Sequence, residues 1–464
     1  MAAEYEPTRR RHAEYATALL PEYLGRLRWS RAEIDAEQTR ALRGLVRHAI
    51  EHSPWHRARL AGLDVERLSR AHLARVPPMT KADLMAHWDE IVTDPRCRRA
   101  DAERHLAHLT DDAYFLDEYH VIASGGSSGV RGVFAYDWHG WAVSWLGSVR
   151  GLLSVAMAAG GSQTGPFVSV SSHVATHATS AIGQTFRPAD RPFVRAPVTL
   201  PLPEIVAVLN RSEPWILHAY PSMLLALCEE ARAGRLHIAP RVVFCTSEPL
   251  LPEARAAATG AWGAVVLNTW AASESNGGAF SCAVGSGFHV GEDVNVIEPV
   301  DEGGMPVPPG RRSAKILVTN LYNRLLPLVR YEITDEFEVS PAACACGSAY
   351  ARVEDVHGRL DDVFEYPGGV RVHPLNLRSP LGKQPPITEY QVRQTAGGAD
   401  IDVVATAPFD AEALRASIEG RLAGLGVRAP AVTIRRVDRI ARHETGKLKR
   451  FVPLPPMAVC NRLG

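Results

Sequence analysis

The chain has 464 residues, too many for one ordinary domain and enough for two or three units with cores of their own. Its 51 basic and 51 acidic residues cancel, leaving no cationic excess for a phosphate backbone or an anionic lipid surface, so nucleic acid is not an expected partner. Apolar runs such as Gly151 to Ala159 fall short of the ~20 residues that cross a bilayer. The polar start MAAEYEPTRRRH is no secretory signal, and the expectation is a cytoplasmic protein without a membrane partner.

Apolar residues at helical spacing (Leu42, Leu45, Val46, Ala49, Ile50) lead to a Ser53-Pro54 break, predicting helices that pack on the outside of a larger body. From Val121 to about Glu354, short β-rich runs (Phe167 to Val170, Val242 to Cys245, Ala264 to Leu267) alternate with helical segments at Pro203 to Leu209 and Ser222 to Ala233. That alternation predicts a sheet covered by helices. After Gly358 the pattern changes. Phe364 to Val372 reads as a hairpin turning at Pro367-Gly368-Gly369. Strands follow near Glu389 to Arg393 and Ile401 to Ala405, then a helix from Asp410 to Leu422 and a strand at Val432 to Val437. The expected fold class is α/β, with a large N-terminal domain over 1–358 and a small α+β domain over 359–464.

The run Ser124-Gly125-Gly126-Ser127-Ser128-Gly129 follows a β-like stretch and has almost no side-chain bulk, so its N–H groups and hydroxyls can approach a polyphosphate. A surface turn explains the run alone equally well, and it has neither the Walker A ending nor the GxGxxG spacing. Asn268-Thr269-Trp270-Ala271-Ala272-Ser273-Glu274 follows the apolar strand Val265 to Leu267. An aromatic ring past a strand end can stack on a purine, and a carboxylate four residues on can hold Mg²⁺ against phosphate oxygens. In isolation, a core tryptophan and an exposed glutamate explain it better.

Asp335, Arg359 and the late Gly446-Lys447 complete the set. A carboxylate can accept from both ribose hydroxyls, an arginine can reach sugar or phosphate, and a lysine can meet charge developing at phosphorus. Lys447 stands out because the chain has only five lysines and uses arginine nearly everywhere else.

In this order the motifs resemble those of the adenylate-forming superfamily of acyl-CoA synthetases, adenylation domains and luciferases, and in particular the phenylacetate–CoA ligase branch. The matching segments are Ser53 to His56, Ala123 to Gly129, Ser247-Glu248-Pro249, Trp270 to Glu274, Phe288 to Asp293, Leu326 to Tyr331 with Asp335, Gly358 to Asp362, and Gly446-Lys447. The resemblance implies an adenylating N-terminal domain and a mobile C-terminal lid rotating about a hinge at Asp361. It implies that Ser124, Gly125, Gly126, Ser127, Ser128 and Gly129 embrace the ATP phosphates. Ser247, Glu248, Pro249 and Trp270 would flank adenine, with Asn268 and Thr269 beside it. Asp335 and Arg359 would hold ribose, Glu274 would bind Mg²⁺, and Lys447 would contact both acid and α-phosphate. The chain departs from the usual pattern at Arg131, Ala271 and Thr334, which bears on ATP affinity and substrate choice.

The reaction so implied is acid plus MgATP to acyl-adenylate plus pyrophosphate, followed by transfer to CoA as co-substrate. Transfer to an amine or a carrier protein, activation of nitrite in diazo formation, and a non-catalytic nucleotide-binding homologue are the competing readings. Small residues at Ala271, Ala272, Gly277 and Gly278 suggest room for a flat ring, hence an aryl or arylalkyl acid, with His173 and His177 near the expected acid pocket. Oligomeric state is open, a dimer being one option.

Seven cysteines, an odd number spread thinly, argue against a disulfide framework. Cys344-Ala345-Cys346 is a tight thiol pair, and Cys282 precedes His289 by seven residues, a donor set that suits tetrahedral Zn²⁺. On spacing alone buried cysteines are the better reading. The resemblance shifts it toward a structural zinc, because ligases of this branch often carry a Cys and His before the Gly-Glu-Asp segment and a Cys-x-Cys-Gly before the hinge.

Overall fold

The structure is a computed structural model that describes residues 2–124, 132–159, 165–188, 191–282, 284, 287–359, 362–382, 384, 386–442 and 447–454. The chain divides into two compact units, Met1–Val356 and a smaller one beginning at His357.

The larger unit starts with the helices Ala2–Arg26, Arg31–His52 and Pro54–Leu60. Ser30 caps the second through a reciprocal pair with Glu33, and Ser53 both ends that helix and caps the third. Leu42, Leu45, Val46 and Ala49 are buried against Val296, Leu321 and Val329, so the predicted apolar stripe is the face that docks on the body.

At the centre lies a five-stranded parallel sheet in the spatial order Phe193–Pro197, Phe167–Ser171, Ile216–Ala219, Val242–Cys245, Val265–Asn268. In chain order this is 2-1-3-4-5. Helices Ala178–Thr185, Leu202–Ser212, Pro221–Arg232 and Pro252–Trp262 connect successive strands. Val168, Leu217 and Val243 face one helical layer, while Ile216, Val242 and Phe244 meet Leu152 and Val155 on the other side. A sheet of this order opens a crevice beyond the carboxyl ends of its first and third strands, where the connections diverge. Here those ends are Ser171 and Ala219.

Leu152 and Val155 belong to the helix Trp138–Ala158, which corrects the sequence reading: the apolar run is part of a 21-residue helix, long and apolar enough by composition to cross a bilayer. In the fold it is a core helix. A Cβ at Gly147 would lie 2.9 Å from the Gly277 backbone, and one at Gly151 would lie 2.3 Å from the Ser281 carbonyl. The helix is therefore pressed directly onto the 277–281 segment.

The unit also holds the two-stranded antiparallel pair His120–Ala123/Val133–Tyr136 and two larger antiparallel sheets. One runs in the order Asn295–Val300, Lys315–Asn320, Tyr331–Ile333; the other in the order Asp335–Val339, Arg352–Arg359, Phe288–Val290, Ala279–Phe280.

The smaller unit has the hairpin Phe364–Tyr366/Val370–Val372, with Gly368 and Gly369 at positive φ in its turn. Its sheet runs Ala431–Arg436, Gly398–Ala405, Ile387–Thr395, Phe451–Val452, with the helix Ala411–Gly424 supplying Leu414, Ile418 and Leu422 to the core. The helix Leu375–Gly382, which carries Pro380 internally, and the short strand Phe451–Val452 have no counterpart in the sequence reading.

Candidate active site

The expected site residues of the larger unit gather at the carboxyl edge of the parallel sheet. Asn268 ends the last strand in register with Cys245, and the Thr269 N–H donates to the Cys245 carbonyl at 3.1 Å, which places the 268–270 segment beside the loop starting at Thr246. The Asn268 Oδ1 is buried and has no partner among the described residues. An acceptor left in that state is costly unless a ligand or water satisfies it.

Trp270 is buried in the main core, with the edge of Phe337 against its ring at 5.0 Å between centroids. Its indole N–H donates to Asp335 Oδ2 at 3.1 Å. The indole is thus a wall that orients a carboxylate, with 8% of the residue exposed, rather than an open stacking platform.

Glu274 is also buried, and its segment is held by its own carbonyls. Tyr136 Oη donates to the Ser273 carbonyl at 2.6 Å, Asn320 Nδ2 to that of Glu274 at 3.0 Å, and Tyr322 Oη to that of Asn276. Burial first, then the Glu274 charge, raise the Tyr136 and Tyr331 phenols above their ordinary range, so the carboxylate is flanked by two protonated tyrosines. The Tyr331 hydroxyl is buried without a partner among the described residues. Sequence reasoning missed Tyr136, Asn320 and Tyr322; the available signal was a polar side chain inside or just after an apolar strand.

In the Ser247-Glu248-Pro249 loop the three residues do different things. Ser247 has φ +71, the left-handed region that side-chain-bearing residues avoid. The Glu248 carboxylate accepts from the Ser222 N–H at 3.0 Å and its Oγ at 3.1 Å, capping the helix Pro221–Arg232 with negative charge at its N-terminus. That carboxylate has a clear structural use. Pro249 follows, half-buried.

Ser124 closes the base of the glycine run: its N–H donates to the Gly132 carbonyl and its Oγ accepts from the Gly132 N–H, each at 2.9 Å. Gly125, Gly126, Ser127, Ser128 and Gly129 lie outside the described residues, as do Asp361 and Gly446. Arg359 ends the strand Arg352–Arg359. Lys447 belongs to the smaller unit and is half-buried.

The expected room for a flat ring is corrected at two of its four positions. A Cβ at Gly278 would fall 2.5 Å from Trp270 Cζ3, and Gly277 faces the backbone of Ser144 and Gly147, so protein fills the space both glycines vacate. His177 caps the helix Ala178–Thr185 by accepting from the Thr179 N–H at 3.3 Å. Burial and then Arg195 push His173 down to about 4, leaving it neutral.

Cys282, His289, Cys344 and Cys346 come together, their ligand atoms all within 4.8 Å of one another. Cys282 Sγ and Cys344 Sγ are 3.8 Å apart, close to the edge of a tetrahedron built on ~2.3 Å Zn–S bonds. Cys346 Sγ is 3.3 Å from His289 Nε2, and His289 Nδ1 lies 3.1 Å from the Tyr350 carbonyl. The carbonyl can only accept, so Nδ1 carries the proton and the Nε2 lone pair faces the thiols. Beside this cluster, Asp293 receives both Nη atoms of Arg150 at 2.7 Å and Arg26 at 3.3 Å, all deeply buried. Glu292 accepts from Arg31 at 2.8 Å and from the Ala351 N–H at 2.7 Å. The Gly-Glu-Asp segment therefore ties the N-terminal helices to the body.

No family model matches the chain. A phenylacetate–coenzyme A ligase of Thermus thermophilus is 28% identical over 176 residues, 37% of this chain and 39% of that protein, so the match spans about two-fifths of the relative's length. The 2-hydroxyisobutyryl-CoA ligase in its postadenylation state, in complex with R3-HIB-AMP, superposes with a TM-score of 0.71 at 20% identity, over 92% of this chain and 91% of that one. The open conformation of that ligase with 2-HIB-AMP and CoA gives 0.57 at 21% identity, covering 92% of each chain. The fold is that of the adenylate-forming ligases. Over the 176 matched residues the chain is similar to a phenylacetate–CoA ligase.

Proposed function

We propose that this protein activates a small carboxylic acid with MgATP, forming an acyl-adenylate and pyrophosphate, and then transfers the acyl group to CoA. The observation that carries the reading is the convergence of Ser247, Asn268, Trp270, Glu274 and Asp335, from three separate segments, at the carboxyl edge of a 2-1-3-4-5 parallel sheet. That edge is where such sheets bind ligands.

In this reading the Asn268 Oδ1, without a partner among the described residues, accepts from the adenine amine, Asp335, turned by Trp270, accepts from ribose hydroxyls, and Arg359 donates to the same sugar. Ser124 to Gly129 would surround the phosphates, with Ser247 to Pro249 beside the base. Glu274 is suited to a hard cation, being an anionic oxygen donor in a site lined by phenols, and Mg²⁺ there would offset phosphate charge. The substrate carboxylate attacks the α-phosphorus in line, the bond to the β-phosphate oxygen breaks, and pyrophosphate leaves. The nucleophile is already an anion, so orientation and charge stabilisation, to which Lys447 contributes, supply most of the rate. The CoA thiolate then attacks the acyl carbon and AMP departs, after rotation of the smaller unit about Asp361.

Ala271 and Ala272, both half-buried, keep an aryl or arylalkyl acid as the proposed substrate class. The four-residue Cys/His cluster is proposed as a closed structural zinc site outside the chemistry. ATP–pyrophosphate exchange across a panel of aryl, arylalkyl and short hydroxy acids, followed by CoA thiol consumption, tests the whole. Acid-dependent exchange with thiol loss is expected; MgATP binding without exchange for any acid would instead establish a non-catalytic homologue.

A further inference from the structure

A chain of polar side chains, buried as far as His218 and half-buried beyond it, runs along the carboxyl half of the parallel sheet and ends at the loop assigned above to adenine. Ser169 and His218 are register partners on the first and third strands, the pair between which the crevice opens. Ser169 Oγ is 2.9 Å from Ser171 Oγ and 2.8 Å from His218 Nδ1. His218 Nε2 is 3.2 Å from Thr246 Oγ1, which is 3.3 Å from Ser247 Oγ. Tyr220, whose hydroxyl accepts from the Ser172 N–H at 3.1 Å, also meets the Ser247 side chain.

Two features separate this chain from ordinary core polarity. The first is its end point: Ser247 is a non-glycine residue at φ +71, so its loop is held in a conformation that glycine would adopt freely. The second is His218, which burial pushes down to about 4 and which is therefore neutral, with one N–H and one lone pair. A neutral imidazole between two hydroxyls imposes one sense on the row. If Nδ1 holds the proton, Thr246 donates to Nε2, Ser247 donates to Thr246, and the Ser247 oxygen presents lone pairs outward. If Nε2 holds it, every donor reverses and Ser247 presents its hydrogen.

We infer that His218 is a positioning residue for nucleotide binding, acting through Thr246 to hold the Ser247 loop and to set the direction of the Ser247 hydroxyl. This rests on the nucleotide reading of the Ser247 loop.

The test is a double-mutant cycle on the full chain, read as the dissociation constant of MgATP by calorimetry, with melting curves as a check on folding. His218→Phe removes both ring nitrogens and should weaken MgATP binding about fivefold, the worth of one net hydrogen bond. Thr246→Val cuts the chain one link later and should do the same; it carries the test if His218→Phe fails to fold. His218→Gln, with an amide donor and acceptor, should recover most of the affinity. In a Ser247→Gly background, without the hydroxyl and without the backbone strain, His218→Phe and Thr246→Val should each change binding less than about twofold. Equal losses in both backgrounds, or no loss from a folded His218→Phe, overturn the inference alone. An unmodified chain that does not bind MgATP overturns the nucleotide reading and this inference with it.

Discussion

Trp270 and Asp335, 65 residues apart in sequence, are joined by a 3.1 Å hydrogen bond from the indole N–H to a buried carboxylate. A carboxylate can turn about its last bond, and this donor fixes one oxygen so that the group meets a ligand in a set orientation. Trp270→Phe keeps a ring in the core but removes the donor. A hydrogen bond to a charged group contributes about 1.5–3 kcal/mol, so the KM for ATP should rise about tenfold or more, with kcat little changed. Gly278→Ala should act in the same direction, because its Cβ would fall 2.5 Å from Trp270 Cζ3 and displace the indole. An unchanged KM in both variants would remove the indole from ribose recognition.

The Arg150–Asp293 pair makes a stability prediction independent of any activity. Both side chains are fully buried, Arg150 lies 4.5 Å over Phe280, and Arg26 adds a third charge. Asp293→Asn strands a guanidinium without its counter-charge and should cost about 3–5 kcal/mol in urea unfolding at pH 7. Burial alone would raise the Asp293 carboxyl, but Arg150 and then Arg26 overcome it and hold the group below the usual carboxylate value. The folded pKa is therefore below the unfolded one of about 3.9. The stabilisation is complete above that unfolded value and is lost as pH falls through the folded one. The gap between wild type and Asp293→Asn should stay constant from pH 5 to 8 and narrow only below about pH 4. A gap already closing at pH 6 would contradict the pairing.

The Cys282, His289, Cys344, Cys346 cluster predicts about one zinc per chain in protein purified without added metal, measured by plasma mass spectrometry. Cys344→Ser with Cys346→Ser should abolish the metal and lower the melting temperature by several degrees. A metal-free chain with an unchanged melting temperature would reject the site.

How much of this was legible in sequence depended on what kind of order each feature has. The parallel strands at Phe167, Val242 and Val265 and the helix behind Leu42 to Ala49 were readable because burial on a fixed period writes itself into local composition. The helix Leu375–Gly382 was not, because Pro380 inside it signals a break and only packing on the smaller core overrides that signal. The four Cys and His residues carried a weak local spacing and needed the resemblance to be read as a set; the fold then brought two distant halves within 4.8 Å. Gly277 and Gly278 misled for a general reason. A glycine states that something is close, not whether it is a ligand or the protein itself, and here it is Gly147 and Trp270. Tyr136, Asn320 and Tyr322 were invisible because their role is to hold carbonyls far along the chain, which no local pattern encodes.

Lys447 gives the sharpest test of the chemistry. The chain uses arginine at nearly every cationic position, yet keeps lysine after Gly446, where the resemblance implies the group that contacts acid and α-phosphate. A primary ammonium is a compact point charge able to follow charge moving between two oxygens, whereas a guanidinium has a planar fork of fixed shape. Lys447→Ala should reduce acid-dependent ATP–pyrophosphate exchange by about a hundredfold or more, with the MgATP dissociation constant nearly unchanged, because the lost contact acts on the transition state. Lys447→Arg keeps the charge but not its shape and should recover only a small part of the rate. Lys449, whose backbone carbonyl accepts from Gln391 at 2.9 Å, is the control, and Lys449→Ala should leave exchange within about twofold of wild type. If Lys447→Ala exchanged at the wild-type rate, the lysine would have no part in adenylation; if it lost MgATP binding in proportion to rate, its contribution would be to the ground state instead.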